Sequence, residues 1–317
     1  MKKLRWHRVV VLLAAPNALV ALGPWLGTVH WSLDLLACFV VQACGALLLA
    51  ATALAIGRKW LAAGACLAFA TLAGSAIVPD WAAGEDLPGD VENAPRIHVA
   101  ALNLLKSNDK GYEHALAVVR KATPDVIWFG EYTPSWQKYL RAVLSDYPYR
   151  LERAEPGSFG AAMYSRHPFV VAEMVPGGHP WSPFGRTVVQ TPYGPIGVLG
   201  VHPPPPMPSA ARIAERDRGL AAIPKILENL PARRIVLGDF NATPWNDAFV
   251  EMRARTGLSA GSTRWWLPSW PDPLPAPLRV PIDHVLVAGD LAVEQARLGA
   301  SFGSDHRPLL ATIRIGR

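Results

Sequence analysis

The amino-acid sequence predicts a mixed α/β domain carried behind a group of membrane helices, and three observations support that reading. The composition changes abruptly near Pro79, from apolar, almost uncharged sequence to sequence of ordinary soluble character. Behind that point, apolar runs of strand length alternate with helical stretches in places and follow one another directly in others. Such a pattern indicates mixed sheet layering rather than a purely doubly wound sheet. Finally, several of the runs end in Asp, Glu, Asn or His, side chains that handle metals and protons.

The membrane elements come first. Three apolar stretches, at about 9–27, 31–56 and 60–78, occupy residues 1–79, and a spanning helix needs roughly 20 mostly apolar residues. The second stretch carries one charge, Asp34 near one end, and the third none. The first is interrupted by Pro16, Asn17 and Pro24, and its basic head Met1–Arg8 also suits a signal peptide. No convincing small-x-small cleavage site precedes Trp31 and two further spans follow, so three spans are expected. Lys2, Lys3, Arg5 and Arg8 precede the first, and Arg58 and Lys59 separate the second from the third. The positive-inside rule then puts the N-terminus in the cytoplasm of a bacterial-type cell and everything after Val78 outside, on a multi-pass protein of the cytoplasmic membrane. Asp34 reads as an interfacial residue. All three cysteines (Cys38, Cys44, Cys66) fall in these stretches, which leaves the large domain without disulfides or thiol catalysis.

Residues 80–95, with Pro, Gly and acids, read as a linker, and residues 96–317 as one domain. Arg96–Asn103 predicts a strand, Gly111–Ala122 a helix, Asp125–Glu131 a strand and Ser135–Leu144 a helix. Strand-like runs follow around Tyr149–Arg153, Gly160–Ser165, Phe169–Val175, Arg186–Thr191 and Gly194–His202. Ser209–Leu230 is helical with a bend expected at Pro224. Arg234–Asp239 is a strand and Asn246–Arg255 a helix. Ile282–Ala288, Leu291–Leu298 and Pro308–Ile315 complete the strands. Pro203–Pro206 and the Trp-rich Trp265–Pro277 are stiff loops, the second expected to fold back onto the core.

Charge narrows the partners little. Residues 1–94 hold six basic and six acidic side chains, which leaves 25 of the 31 basic and 19 of the 25 acidic residues to the domain. The excess suits a nucleic acid, a phospholipid surface or a phosphate ester, or merely solubility.

The strand ends are more telling. Asn103, Glu131, His202, Asp239 with Asn241, and Asp305 with His306 all stand where a run stops. A lone Asp there is usually a cap or turn residue, but five such ends in one domain point to one site at a shared sheet edge. Asp283, in Ile282-Asp283-His284, stands at the start of another run, and its neighbour His284 faces away because side chains alternate along a strand. Asn108 reads as a turn residue, Ser165-Arg166 as a local fold contact, and Trp245 as packing beside the site.

Together these motifs resemble the endonuclease/exonuclease/phosphatase superfamily: A-L-N ending at Asn103, P-D-V-I-W-F-G-E ending at Glu131, S-R-x-P at 165–168, G-V-H ending at His202, G-D-F-N at 238–241, I-D-H at 282–284 and S-D-H-R-P at 304–308. The resemblance covers residues 95–317, and the leading spans resemble its membrane-anchored bacterial branch. It implies a four-layer α/β sandwich of the deoxyribonuclease I-like type with its site at one edge. It also implies Mg²⁺, with Mn²⁺ as the alternative, held by Glu131, Asp305 and Asn103. Asp239 would orient or deprotonate the attacking water. Asn103, Asn241 and His202 would bind the phosphate, and His306 would act as acid or electrostatic stabiliser with Asp283 fixing its tautomer.

The expected function is divalent-metal-dependent hydrolysis of phosphate esters by a membrane-tethered phosphodiesterase or nuclease. A phospholipid or sphingolipid headgroup phosphodiesterase or phosphatase is the alternative, and a catalytically silent binding module a third reading. Two departures bear on the choice. Ser158-Phe159 stands where nuclease members often carry Tyr, and Leu104-Leu105 follows Asn103 where many carry a second acid.

Overall fold

A computed structural model describes residues 6–82, 93–260 and 266–316. Most of the expected linker, and Trp265 of the Trp-rich loop, lie outside the described residues.

Two sheets face each other. The first has the order β10 (Leu291–Leu298), β11 (Leu309–Ile315), β1 (Arg96–Asn103), β2 (Val126–Gly130), β4 (Ala161–Ser165), β3 (Tyr149–Arg153). The second runs β5 (Phe169–His179), β6 (Ser182–Thr191), β7 (Gly194–Val201), β8 (Arg234–Asp239), β9 (Asp283–Ala288). Their inner faces share one core, in which Val99, Trp128 and Ile313 of the first meet Val198, Ile235 and Val287 of the second. Helices α5 (Tyr112–Ala122) and α6 (Pro134–Val143) cover the outside of the first sheet, and α7 (Ala210–Leu227) and α8 (Asp247–Thr256) that of the second. The result is the four-layer α/β sandwich that the motifs implied.

Each sheet contains one parallel pair, because a helix crosses between its strands. α5 joins β1 to β2, with Asn103 opposite Gly130. α7 joins β7 to β8, with Val201 opposite Gly238. Both pairs therefore deliver their C-terminal ends to one edge: Asn103 beside Glu131, and His202 beside Asp239. Trp128 sets the spacing between the sheets there. Its indole lies against Gly200 and Gly238, whose missing side chains make room for it, and its Nε1 donates to Val201 O at 3.2 Å.

Element boundaries depart from the sequence reading mainly in β5 and β6, which extend to His179 and back to Ser182 because they form one long hairpin. α7 begins after the N-cap Ser209, stops at Leu227 rather than Leu230, and carries Pro224 within its last turns.

The apolar region folds as α1 (Trp6–Leu26), α2 (Trp31–Ala37), α3 (Val40–Ile56) and α4 (Trp60–Ala82). α1 runs unbroken through Pro16 and Pro24. The second stretch is not the single helix expected: α2 and α3 meet at an angle of 72°. Among the described residues, two helices are long and apolar enough to cross a membrane, three if the bent pair counts as one. α1, α3 and α4 pack through small residues, among them Ala21, Ala43, Ala51, Ala70 and Ala73, which lets their backbones approach closely.

Asp34 does not face an interface either. It is 4% exposed, and its Oδ2 takes Nη2 of Arg216 on α7 at 2.6 Å. Its Oδ1 accepts from Asp247 N at 2.9 Å, and its carbonyl from Asn246 Nδ2 at 2.7 Å. Arg216 is wholly buried and also pairs with Asp217. Short α2 is thus a buried seat for the second sheet's helices.

Candidate active site

Asp239 ends β8 at the centre of the edge. Its Oδ2 receives Asn103 Nδ2 at 3.2 Å and lies 3.5 Å from His202 Nε2 and 3.6 Å from His306 Nε2. Its Oδ1 accepts from Asn241 N at 2.8 Å. Behind His306, Asp283 Oδ2 meets Nδ1 at 2.8 Å and fixes the ring's orientation. Ser304 Oγ accepts from His306 N and donates to Asn103 O, tying the loop before β11 to the end of β1 in the same sheet. Asn241 Nδ2 donates to Pro203 O at 2.9 Å, which joins the loops after β7 and β8.

Local backbone supports this convergence at a cost. Glu131 (φ 52°) and Asn241 (φ 49°) both adopt the left-handed region. A non-glycine residue holds that conformation only where its surroundings impose it, and such residues gather at functional sites. Gly238, at φ 139°, occupies a region closed to residues with a Cβ. Glu131 is held from behind by its neighbour Tyr132, whose buried hydroxyl joins Tyr164 and Arg141 around Glu152.

Electrostatics separate the groups. Burial, reinforced by the charge of Asp283 against the pull of His306, raises Asp239 to about 6. Burial opposes the His306 imidazolium, but Asp283 and Asp239 outweigh it and raise its pKa to about 10. His202 is lowered by burial and stays neutral, with its Nδ1 buried and without a partner among the described groups. An ionised carboxylate beside a protonated imidazole is an acid–base pair poised for neutral pH.

Glu131 and Asp305 form the other half. Glu131 is raised by burial and then by the charge of Asp305, against the single backbone donor Lys106 N at 2.8 Å. Asp305 Oδ2 accepts from Trp270 Nε1 at 3.1 Å, while its Oδ1 is buried without a partner. Two hard carboxylates with an orphaned oxygen fit a divalent cation. Asn103 faces both halves: its Nδ2 donates to Asp239, and its Oδ1, which accepts from Leu105 N at 3.1 Å, keeps a second lone pair. Asp239, Asp283 and His306 also offer atoms within 4.8 Å of one another. The close His306–Asp283 hydrogen bond makes that trio an acid–base unit first.

The structure thus brings all eight expected residues to one edge. His284 turns away, bonds Ala242 O and packs between Phe240 and Phe249. Asn108 bonds Leu104 O and Phe302 O in a buried turn. Arg166 pairs with Asp146 and covers Tyr147. The Trp-rich loop folds back as expected, stitched to 305–307 through Asp272 N–Asp305 O and Arg307 N–Ser269 O. Trp245 packs on the apolar N-terminal helices instead of merely beside the site. Sequence reasoning missed Trp270 as the Asp305 partner and Ser304 as the brace. Ser304 stands inside the quoted S-D-H motif, but only the fold shows what its hydroxyl touches.

A sequence model of the Endonuclease/Exonuclease/phosphatase family matches residues 100–306, and the chain belongs to that family. Solved structures agree on the fold. A humanized D. rerio TDP2 superposes with a TM-score of 0.59 at 15% identity, covering 69% of this chain and 99% of that one. An endonuclease/exonuclease/phosphatase from Beutenbergia cavernae gives 0.55 at 20%, over 70% and 72%. Sphingomyelinase C from Streptomyces griseocarneus gives 0.51 at 20%, over 69% and 99%. No curated protein sequence matches the chain.

Proposed function

We propose that the chain is a divalent-metal-dependent phosphodiesterase whose domain works outside a bacterial-type cytoplasmic membrane. The observation that carries the reading is the Asp239 carboxylate ringed by Asn103, His202 and His306, with Asp283 behind the histidine. Asp239 orients a water and takes its proton as the water oxygen bonds to phosphorus. The protonated His306 faces the phosphoryl oxygens and gives its proton to the alkoxide as the P–O ester bond breaks, with Asp283 stabilising the imidazolium. Neutral His202 and the amides of Asn103 and Asn241 meet the charge that develops on phosphorus's oxygens. Glu131 and Asp305 would hold Mg²⁺ or Mn²⁺, which neutralises phosphate charge and polarises phosphorus toward attack.

The position of the domain on the bundle supports this side. The domain rests on the α1–α2 end of the bundle, by Gly27 and Asp34, opposite the Arg58-Lys59 turn. The positive-inside rule puts that turn in the cytoplasm.

The test uses the full chain in nanodiscs with bis-p-nitrophenyl phosphate, Mg²⁺ or Mn²⁺. Asp239→Asn and His306→Gln, the second keeping a hydrogen-bonding group beside Asp283, should each lower kcat by about 10²–10⁴-fold in protein that still unfolds cooperatively. Turnover that persists in chelator, or in either variant, sinks the mechanism.

A further inference from the structure

We infer that the bound phosphoester is the headgroup of a lipid in the leaflet beneath the domain. This rests on the proposed chemistry and adds the substrate class.

The domain is clamped rather than tethered. The buried Asp34–Arg216 pair and the Asn246 bond to Asp34 O fix its orientation on α2. A buried charge pair whose carboxylate is held by both Arg216 Nη2 and Asp247 N has one geometry and resists rotation. The clamp brings the catalytic edge, and not the opposite one, against the membrane helices. Cys38, at the α2–α3 break, donates to Asn246 Oδ1 and packs with Val280, Ile282 and Trp270. Ile282 precedes Asp283, and Trp270 bonds Asp305. Gln42 of α3 donates to Arg279 O at 2.7 Å. Both loops that frame the acid–base unit, after Asn241 and before Asp283, thus lean on the apolar bundle.

What these loops show to solvent is apolar. Leu278, next to the Gln42 contact, is 55% exposed, and Leu274 on the same loop is 41% exposed. Val250 of α8, 51% exposed, borders a groove of about 450 Å³ with Trp25 of α1, Ser75 of α4 and Trp245. Apolar side chains exposed at the foot of a domain, continuous with spanning helices, cost nothing if the surrounding medium is the bilayer interface. The half-exposed Trp25 belongs at that depth too. A phosphate at the headgroup level is then within reach of the edge without leaving its leaflet. Hydrolysis adds the water oxygen to phosphorus, breaks one P–O ester bond and protonates the alkoxide. The polar product enters water and the acylated one stays in the membrane.

The experiment offers the full chain three substrates in parallel with Mg²⁺. They are its own nanodisc of equimolar phosphatidylethanolamine, phosphatidylglycerol and phosphatidic acid, bis-p-nitrophenyl phosphate, and a single-stranded oligonucleotide. Mass spectrometry should show lipid turnover faster than oligonucleotide turnover. Leu278→Asp, a bilayer contact outside the site, should slow lipid turnover by about ten-fold. The same variant should leave the nitrophenyl diester rate within about two-fold. Turnover of the soluble diester with intact lipid overturns the inference alone. So does faster cleavage of the oligonucleotide, or equal loss of both rates in Leu278→Asp. No turnover of any of the three fails the proposed chemistry and takes this inference with it.

Discussion

At the scale of residues, two titrating groups less than 4 Å apart are both pushed upward, and under the proposed mechanism they set the pH window. Asp239, raised to about 6, cannot accept a proton once it is itself protonated, so activity falls as pH drops through that value. His306, raised to about 10, cannot donate once it is neutral, so activity falls as pH rises through that value. The profile of kcat against pH on a soluble diester should therefore be a broad bell with these limbs. Asp283→Asn removes a charge that holds up both His306 and Asp239, and should draw both limbs downward, the alkaline one further because it also loses the direct hydrogen bond to a carboxylate. An unmoved alkaline limb would assign it to another group. These residues were legible in the sequence because they stand at the boundaries of apolar runs, where one polar residue is ordinary turn chemistry but five such ends in one domain are not. The partners Trp270 and Ser304 were not, because one comes from a loop and the other acts by a hydroxyl bond to a strand 201 residues away.

Among the elements, α2 has the largest consequence for its length. Seven residues interrupt what reads as one apolar stretch, and the break at Cys38-Phe39 has no proline or glycine to announce it. Its cause is tertiary: Asp34 must reach Arg216, 182 positions away, and only a helix lying across the bundle end presents it. Single-sequence periodicity holds no information of that range, whereas the βαβ crossovers, local in the chain, could be read directly. Asp34→Ala leaves Arg216 buried without its main partner and should destabilise the full chain by about 3–5 kcal/mol. Adding Arg216→Met removes the stranded charge and should recover most of that loss, since an apolar side chain suits the buried site. Thermal unfolding in detergent compares the four proteins. If the double variant is as unstable as the sum of the single ones, the pair is not coupled.

For the whole molecule, topology and catalysis depend on the same arrangement. A reporter fused after Arg317 should be active only outside the cytoplasm, and one inserted at Arg58-Lys59 only inside; the reverse pattern would invert the orientation. Family, two-sheet fold and the edge where the polar residues meet were all readable from motifs, because strand direction fixes which ends coincide. The distance between those ends was not readable, since it is set in the core. Here Trp128 acts as a gauge block: its ring, seated on Gly200 and Gly238, keeps apart the sheet that carries Glu131 and the sheet that carries Asp239. A reaction divided between two layers tolerates little error in the gap. Trp128→Phe, which narrows the gauge without emptying the core, should lower kcat more than it lowers the melting temperature. Precision at the rim is then set from just beneath it, by a side chain lodged against the glycine that precedes Asp239 and bonded to the carbonyl that precedes His202.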